Sequence, residues 1–312
     1  MGIKIATLVG CAIGDALGNP FEMKPASSPA LKEWDGLFKA GGTFWKGEAG
    51  QYTDDTLMSM ALTASLIERS GFEPANVAEN YLAWYESGNT RGIGTTTANA
   101  IHNLQHGATW QESGLKHSID GLPAGGNGTA MRASPIGLWY RKEPELLLES
   151  AMLDASITHN SFEPKMGSVA VALATAMLAN GTATPQDVCY QITDIVTDSI
   201  VKEKLLLAQK WLEQGTPLDT IVEEALAEIG VSGYVPETVG AAFFCLGATD
   251  NFKDAVVMAV KAGGDTDTTA AIVGALAGTY YGLENIPSEY TETVENFELL
   301  QGLTDILVNN GI

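Results

Sequence analysis

The stretch GGDTDTTAAIVGALAGTYYG, residues 263–282, opens on two glycines and an alternation of acids and hydroxyls, then runs straight into small and apolar residues. Acids and threonines suit a helix N-terminus, where side-chain oxygens accept from unpaired backbone N–H groups, and the run from Ala270 suits the helix that follows. Gly274, Gly278 and Gly282 recur every fourth residue and so share one helical face. A matching stripe, Gly10, Gly14 and Gly18, stands near the start of the chain. Interior glycine costs a helix roughly 0.5–1 kcal/mol relative to alanine, so close approach of another backbone is the expected compensation. The two chain ends are therefore expected to meet in the core.

The intervening sequence is also helical in pattern. From Thr53 onward Leu57, Met60, Ala61, Ala64 and Ile67 recur at three- and four-residue intervals before Gly71, which predicts an amphipathic helix with that apolar stripe. A second runs from Pro164 to Ala179 and ends at Asn180 and Gly181, and others open near Pro185, Pro217 and Pro236. No alternating strand pattern, low-complexity linker or fixed-period repeat interrupts them. The expectation is one all-α domain spanning residues 1–312.

Hydrophobic residues make up 45% of the chain and charged residues 18%, which suits a packed core and not a disordered chain. The formal charge of −21 disfavours attraction to nucleic acid or anionic membranes, and an anionic substrate would need bound cations to reverse that field. Cys11, Cys189 and Cys245 show no disulfide or metal spacing and read as buried thiols. The apolar stretches are too short for a membrane span, and a cytoplasmic location is expected.

Four segments carry chemistry. Thr53, Asp54 and Asp55 sit where a helix begins, which capping alone would explain. Asp265, Thr266, Asp267 and Thr268 form a second acidic cluster, and capping explains one of its acids, not both. Carboxylates repel one another, so gathering several favours a divalent cation between them. Oxygen donors without His or Cys suit Mg²⁺ or Mn²⁺. Gly125 to Arg132, GGNGTAMR, can cradle phosphate through backbone N–H groups or be a plain turn, and it lacks the Walker ending. Glu22 follows GDALG, and His159 lies within Thr-His-Asn; the residues alone leave a solvated acid and a packed histidine as open readings.

In this order the segments GDALGNPFE (14–22), YTDDT (52–56), GNGTAMR (126–132), THN (158–160) and GGDTDTTAA (263–271) resemble the ADP-ribosylglycohydrolase family, whose members include dinitrogenase reductase-activating glycohydrolases and ADP-ribosylarginine and ADP-ribosylserine hydrolases. The resemblance implies a compact orthogonal helical bundle with two Mg²⁺ or Mn²⁺ ions held by Thr53, Asp54, Asp55, Asp265, Asp267 and Thr268. It implies Glu22 and Asp55 as the catalytic carboxylates, and Asn127, Gly128, Thr129, Met131 and His159 as the substrate contacts. The implied reaction releases ADP-ribose from a modified protein side chain or small acceptor by cleaving an N- or O-glycosyl bond. One departure stands out: Gly92 occupies a position where the nitrogenase-linked branch carries an aspartate, so specificity for arginine linkages is not expected. Two rivals remain at this point, a catalytically silent ADP-ribose binder and a two-metal nucleotide phosphohydrolase.

Overall fold

The two glycine stripes interlock. In the computed structural model, which describes residues 4–116, 121–214 and 218–312, the Thr7–Gly18 helix lies antiparallel against the Thr266–Tyr281 helix near the other end of the chain. A Cβ on Gly10 would stand 2.0 Å from the Gly274 carbonyl oxygen, one on Gly14 1.8 Å from that of Ala270, and one on Gly278 2.5 Å from that of Ala6. Side chains at these positions would hold the backbones apart. Gly282, expected in the same stripe, instead caps its helix with φ +78°. Both helices are buried along nearly their whole length, and the three free cysteines are buried as well.

The fold is all-α, with seventeen α-helices and two short 3-10 turns among the described residues. Among the described residues one short two-stranded pairing joins Lys24 and Pro25 to Gly264 and Gly263, and beside it the Met23 N–H donates to the Gly264 carbonyl at 2.7 Å. That pairing ties the segment after Glu22 to the segment before Asp265. Among the described residues no helix is long and apolar enough to cross a membrane.

The expected helices appear at Asp54–Arg69, Phe162–Ala179, Val188–Ile192 and Val235–Gly247. The opening expected near Pro217 lies outside the described residues, and a helix is seen from Leu218 to Ile229. The stripe predicted for the Asp54 helix is corrected. Beyond its acidic first turn the buried positions are Met58, Ser59, Leu62, Thr63, Ser65 and Leu66, whereas Leu57, Met60, Ala61 and Ile67 are only partly buried and Ala64 is exposed. Ser59 and Thr63 can face the core because each hydroxyl donates to the carbonyl four residues back, at 2.8 Å.

Candidate functional site

The helix seam sets the height of the acids. Gly18 presses on the backbone of Thr266 and Asp267, and one turn earlier Asp15 reaches the start of the Asp54 helix. Asp15 is wholly buried and accepts from the backbone N–H and the hydroxyl of both Thr53 and Thr56 at 2.7–3.1 Å. It caps that helix from across the core, so the capping reading is corrected for Thr53, which stands at the N-cap but makes no side-chain cap hydrogen bond. The donor hydrogen of Thr53 is spent on Asp15 at 2.8 Å, which leaves lone pairs on its oxygen. Sequence reasoning gave Asp15 no role; a carboxylate with no cationic neighbour inside an otherwise apolar helix was the available signal.

Glu22, Asp54, Asp55, Asp265, Asp267 and Thr268 line one cleft of about 250 Å³, together with Gly126, Asn127, Gly128, Met131 and His159. Oxygens of Glu22, Asp265 and Asp267 all fall within 4.8 Å of one another. No lysine or arginine is among the lining residues. Asp55 Oδ1 and Asp265 Oδ1 are buried without a hydrogen-bond partner, an arrangement that costs free energy unless something else binds there. Asp265 Oδ2 accepts from the Asn127 amide at 2.8 Å, and Asp267 Oδ1 from the Thr268 N–H at 3.0 Å.

Crowding shows in the protonation of these groups. Burial first, then repulsion from neighbouring carboxylates, pushes Glu22 and Asp54 up to about 8, and Asp55 and Asp267 well above the usual carboxylate range. Asp15 is pushed up to about 6 by burial, against the four donors that favour its charged form. Such groups bind protons more tightly folded than unfolded, so stability falls as pH rises from about 4, where unfolded carboxylates titrate, through the raised folded values near 8. Chelator-treated protein is therefore expected to melt lower at pH 8 than at pH 5.5, with Mg²⁺ or Mn²⁺ closing the gap. A melting temperature independent of pH in chelator would contradict the crowding.

The glycine loop is a series of turns leading to the Ser134–Trp139 helix. A Cβ on Gly126 would lie 2.9 Å from His159 Nε2, and one on Gly128 3.1 Å from His159 Cε1 and 3.2 Å from Thr97 Oγ1. His159 is buried, and burial followed by the charge of Arg132 pushes it down to about 3, so it is neutral at physiological pH. One substrate contact implied for this loop does not stand at the cleft. Thr129 is buried, gives its hydroxyl to the Pro164 carbonyl at 2.8 Å and does not line the cleft. Arg132 is buried against Asp154 and brings no cation to the cleft. Asn127 lines the cleft, but its amide N–H groups are taken by Thr238 and Asp265. Gly128→Val is expected to weaken ADP-ribose binding about tenfold or more by displacing His159. Calorimetric titration of the folded variant checks this, and an unchanged affinity would move the ligand elsewhere.

Thr97 and Gly233 line the cleft without any motif to mark them, beside Thr95 and Thr96 of the segment that carries Gly92. Gly92 lines it too, at φ +75°, and a Cβ there would stand 2.9 Å from Asp54 Oδ1. Its neighbour Arg91 pins the loop by pairing with Glu295 and stacking 4.9 Å over Trp45.

A model of the ADP-ribosylglycohydrolase family matches residues 5–311. The chain is 31% identical to an uncharacterized protein of Archaeoglobus fulgidus over 95% of its own length and 92% of the relative's. It is 28% identical to the ADP-ribosylarginine hydrolase Tri1 of Serratia proteamaculans, over 96% of this chain and 77% of that one. Among solved structures, an ADP-ribosylglycohydrolase-related protein complex superposes with a TM-score of 0.73 at 27% identity, covering 98% of this chain and 97% of the other.

Proposed function

The chain belongs to the ADP-ribosylglycohydrolase family and is an ADP-ribosyl hydrolase acting on a glycosidic bond, and from there we propose that it releases ADP-ribose from a modified protein side chain or small acceptor with the help of two divalent cations, Mg²⁺ or Mn²⁺. The observation that carries the metal dependence is the crowding of five carboxylates in one cleft without a cationic side chain, with two buried carboxylate oxygens left unpartnered. Thr53, Asp54, Asp55, Asp265, Asp267 and Thr268 would hold the ions, with Glu22 beside them. These hard oxygen donors, without His or Cys, fit Mg²⁺ or Mn²⁺. When bound, the cations would supply positive charge that fixes ribose hydroxyls and acidifies water.

The chain's own residues do the rest. Gly126 and Gly128 let the His159 ring pack close against the loop that would hold the diphosphate, and neutral His159 can donate a hydrogen bond there without adding charge. Glu22 is half-buried at the edge of the acidic group, and Asp55 is buried within it. To these two carboxylates we assign the tasks of steadying positive character at the ribose anomeric carbon and of holding or passing a proton at their carboxyl oxygens.

A panel of arginine-, serine- and O-acetyl-linked ADP-ribose, with products identified by mass, tests the reading. Intact ADP-ribose is expected from at least one, and arginine linkages are expected to be poor substrates because Gly92 offers no acid to a guanidinium. AMP or phosphate as product would establish the phosphohydrolase instead. Tight ADP-ribose binding with no turnover of any substrate would establish a silent binder.

A further inference from the structure

Arg132 closes the GNGTAMR segment yet works behind the cleft, not in it. Its Nε donates to Asp154 Oδ2 at 2.9 Å, Nη1 to the Gly128 carbonyl at 3.0 Å, and Nη2 to both the Asp154 carbonyl at 3.0 Å and Thr158 Oγ1 at 2.9 Å. The Tyr81 ring covers it at 4.6 Å, and the Tyr81 hydroxyl donates to the other Asp154 oxygen at 2.6 Å. Every group in this network is wholly buried, so the guanidinium has one fixed orientation.

That orientation fixes a proton elsewhere. Thr158 Oγ1 lies 2.9 Å from Nδ1 of His159. A guanidinium can only donate, so the Thr158 oxygen accepts from Arg132, and among the described residues the one acceptor within hydrogen-bond distance for the hydrogen of this buried hydroxyl is the imidazole Nδ1. Nδ1 is then an acceptor, and a neutral ring carries its proton on Nε2. Nε2 is the nitrogen turned to Gly126, on the wall of the cleft.

We propose that Arg132 and Thr158 are positioning residues which, through the Thr158 hydroxyl, hold His159 as its Nε2–H tautomer and so present one fixed N–H donor to a ligand oxygen lying against Gly126 and Gly128. Arg132 also draws the Gly128 carbonyl inward, which keeps an electronegative oxygen away from an anionic ligand. The inference deepens the proposed function and rests on ADP-ribose occupying this cleft.

The test pairs nitrogen NMR of the imidazoles with calorimetry of ADP-ribose binding, on wild type, Thr158→Val and Thr158→Ser. The chain has four histidines, so a spectrum of His159→Gln assigns the signal. Wild type and Thr158→Ser are expected to show a protonated Nε2 and an acceptor Nδ1. Thr158→Val should lose that fixed tautomer and bind ADP-ribose about tenfold more weakly, with serine restoring both. The metal-induced rise in melting temperature should be equal in all three, which separates positioning from damage to the fold. A wild-type ring protonated on Nδ1, or wild-type affinity in Thr158→Val, would overturn the proposal. The NMR measurement needs no ligand, so a wild type that does not bind ADP-ribose sinks the proposed function while the tautomer still reports on Arg132 and Thr158.

Discussion

Asp55→Asn and Asp265→Asn are each expected to lower kcat/KM for ADP-ribose release about 100-fold or more, and to remove most of the thermal stabilisation conferred by Mg²⁺ or Mn²⁺. Each carries a buried oxygen that no protein group satisfies, and each sits among carboxylates whose repulsion a bound cation would relieve. A loss of 100-fold corresponds to about 2.7 kcal/mol of transition-state stabilisation, within the several kcal/mol that a catalytic metal contributes. A ligand at 100 times its dissociation constant also adds about 2.7 kcal/mol to the folded state, so the melting shift is measurable. In chelator both variants should melt at or above wild type, because each removes a repelling charge. A capping role for Asp55 would instead cost about 0.5–2 kcal/mol with or without metal, but at that helix start the Thr53 and Thr56 N–H groups are already served by Asp15.

Gly14→Val is the substitution expected to damage the fold most. Its Cβ alone would stand 1.8 Å from the Ala270 carbonyl oxygen and 2.3 Å from the carbonyl carbon, and backbone on both sides cannot yield as a flexible side chain would. Separating the two helices would also pull Asp15 and Gly18 away from the acids they position. The cost should exceed about 4–5 kcal/mol, a large fraction of the 5–15 kcal/mol that stabilises an ordinary domain. Gly302→Ala is the control: nothing lies within 4 Å of that site inside the Phe297–Asn310 helix, so it should stabilise by about 0.5–1 kcal/mol. Urea unfolding of both variants checks the pair, and equal stability for Gly14→Val and wild type would show that the helices do not pack through this seam.

The seam was legible because glycine every fourth residue has few physical causes inside a helix, and the acidic clusters were legible because their side chains lie next to one another in sequence. The core face of the Asp54 helix was not. Apolar periodicity marks Leu57, Met60 and Ile67, but the core accepts Ser59 and Thr63 once their hydroxyls bond their own helix, and no hydrophobic pattern registers that exchange. The role of Arg132 was illegible for a related reason, because its partner Asp154 lies on the separate Pro144–Thr158 helix and only the fold joins them. Asp15 likewise acquires its purpose from Thr53 and Thr56 across the core. Contacts between distant segments are where a single sequence says least.

The central claim is that acids from opposite ends of the chain form one metal centre. Titration of metal-stripped protein with Mn²⁺, counting free ion by electron paramagnetic resonance, tests it most directly. Two ions bound per chain are expected in wild type, and tight binding lost in both Asp55→Asn and Asp265→Asn, one from each cluster. Wild-type binding retained in both variants would contradict it.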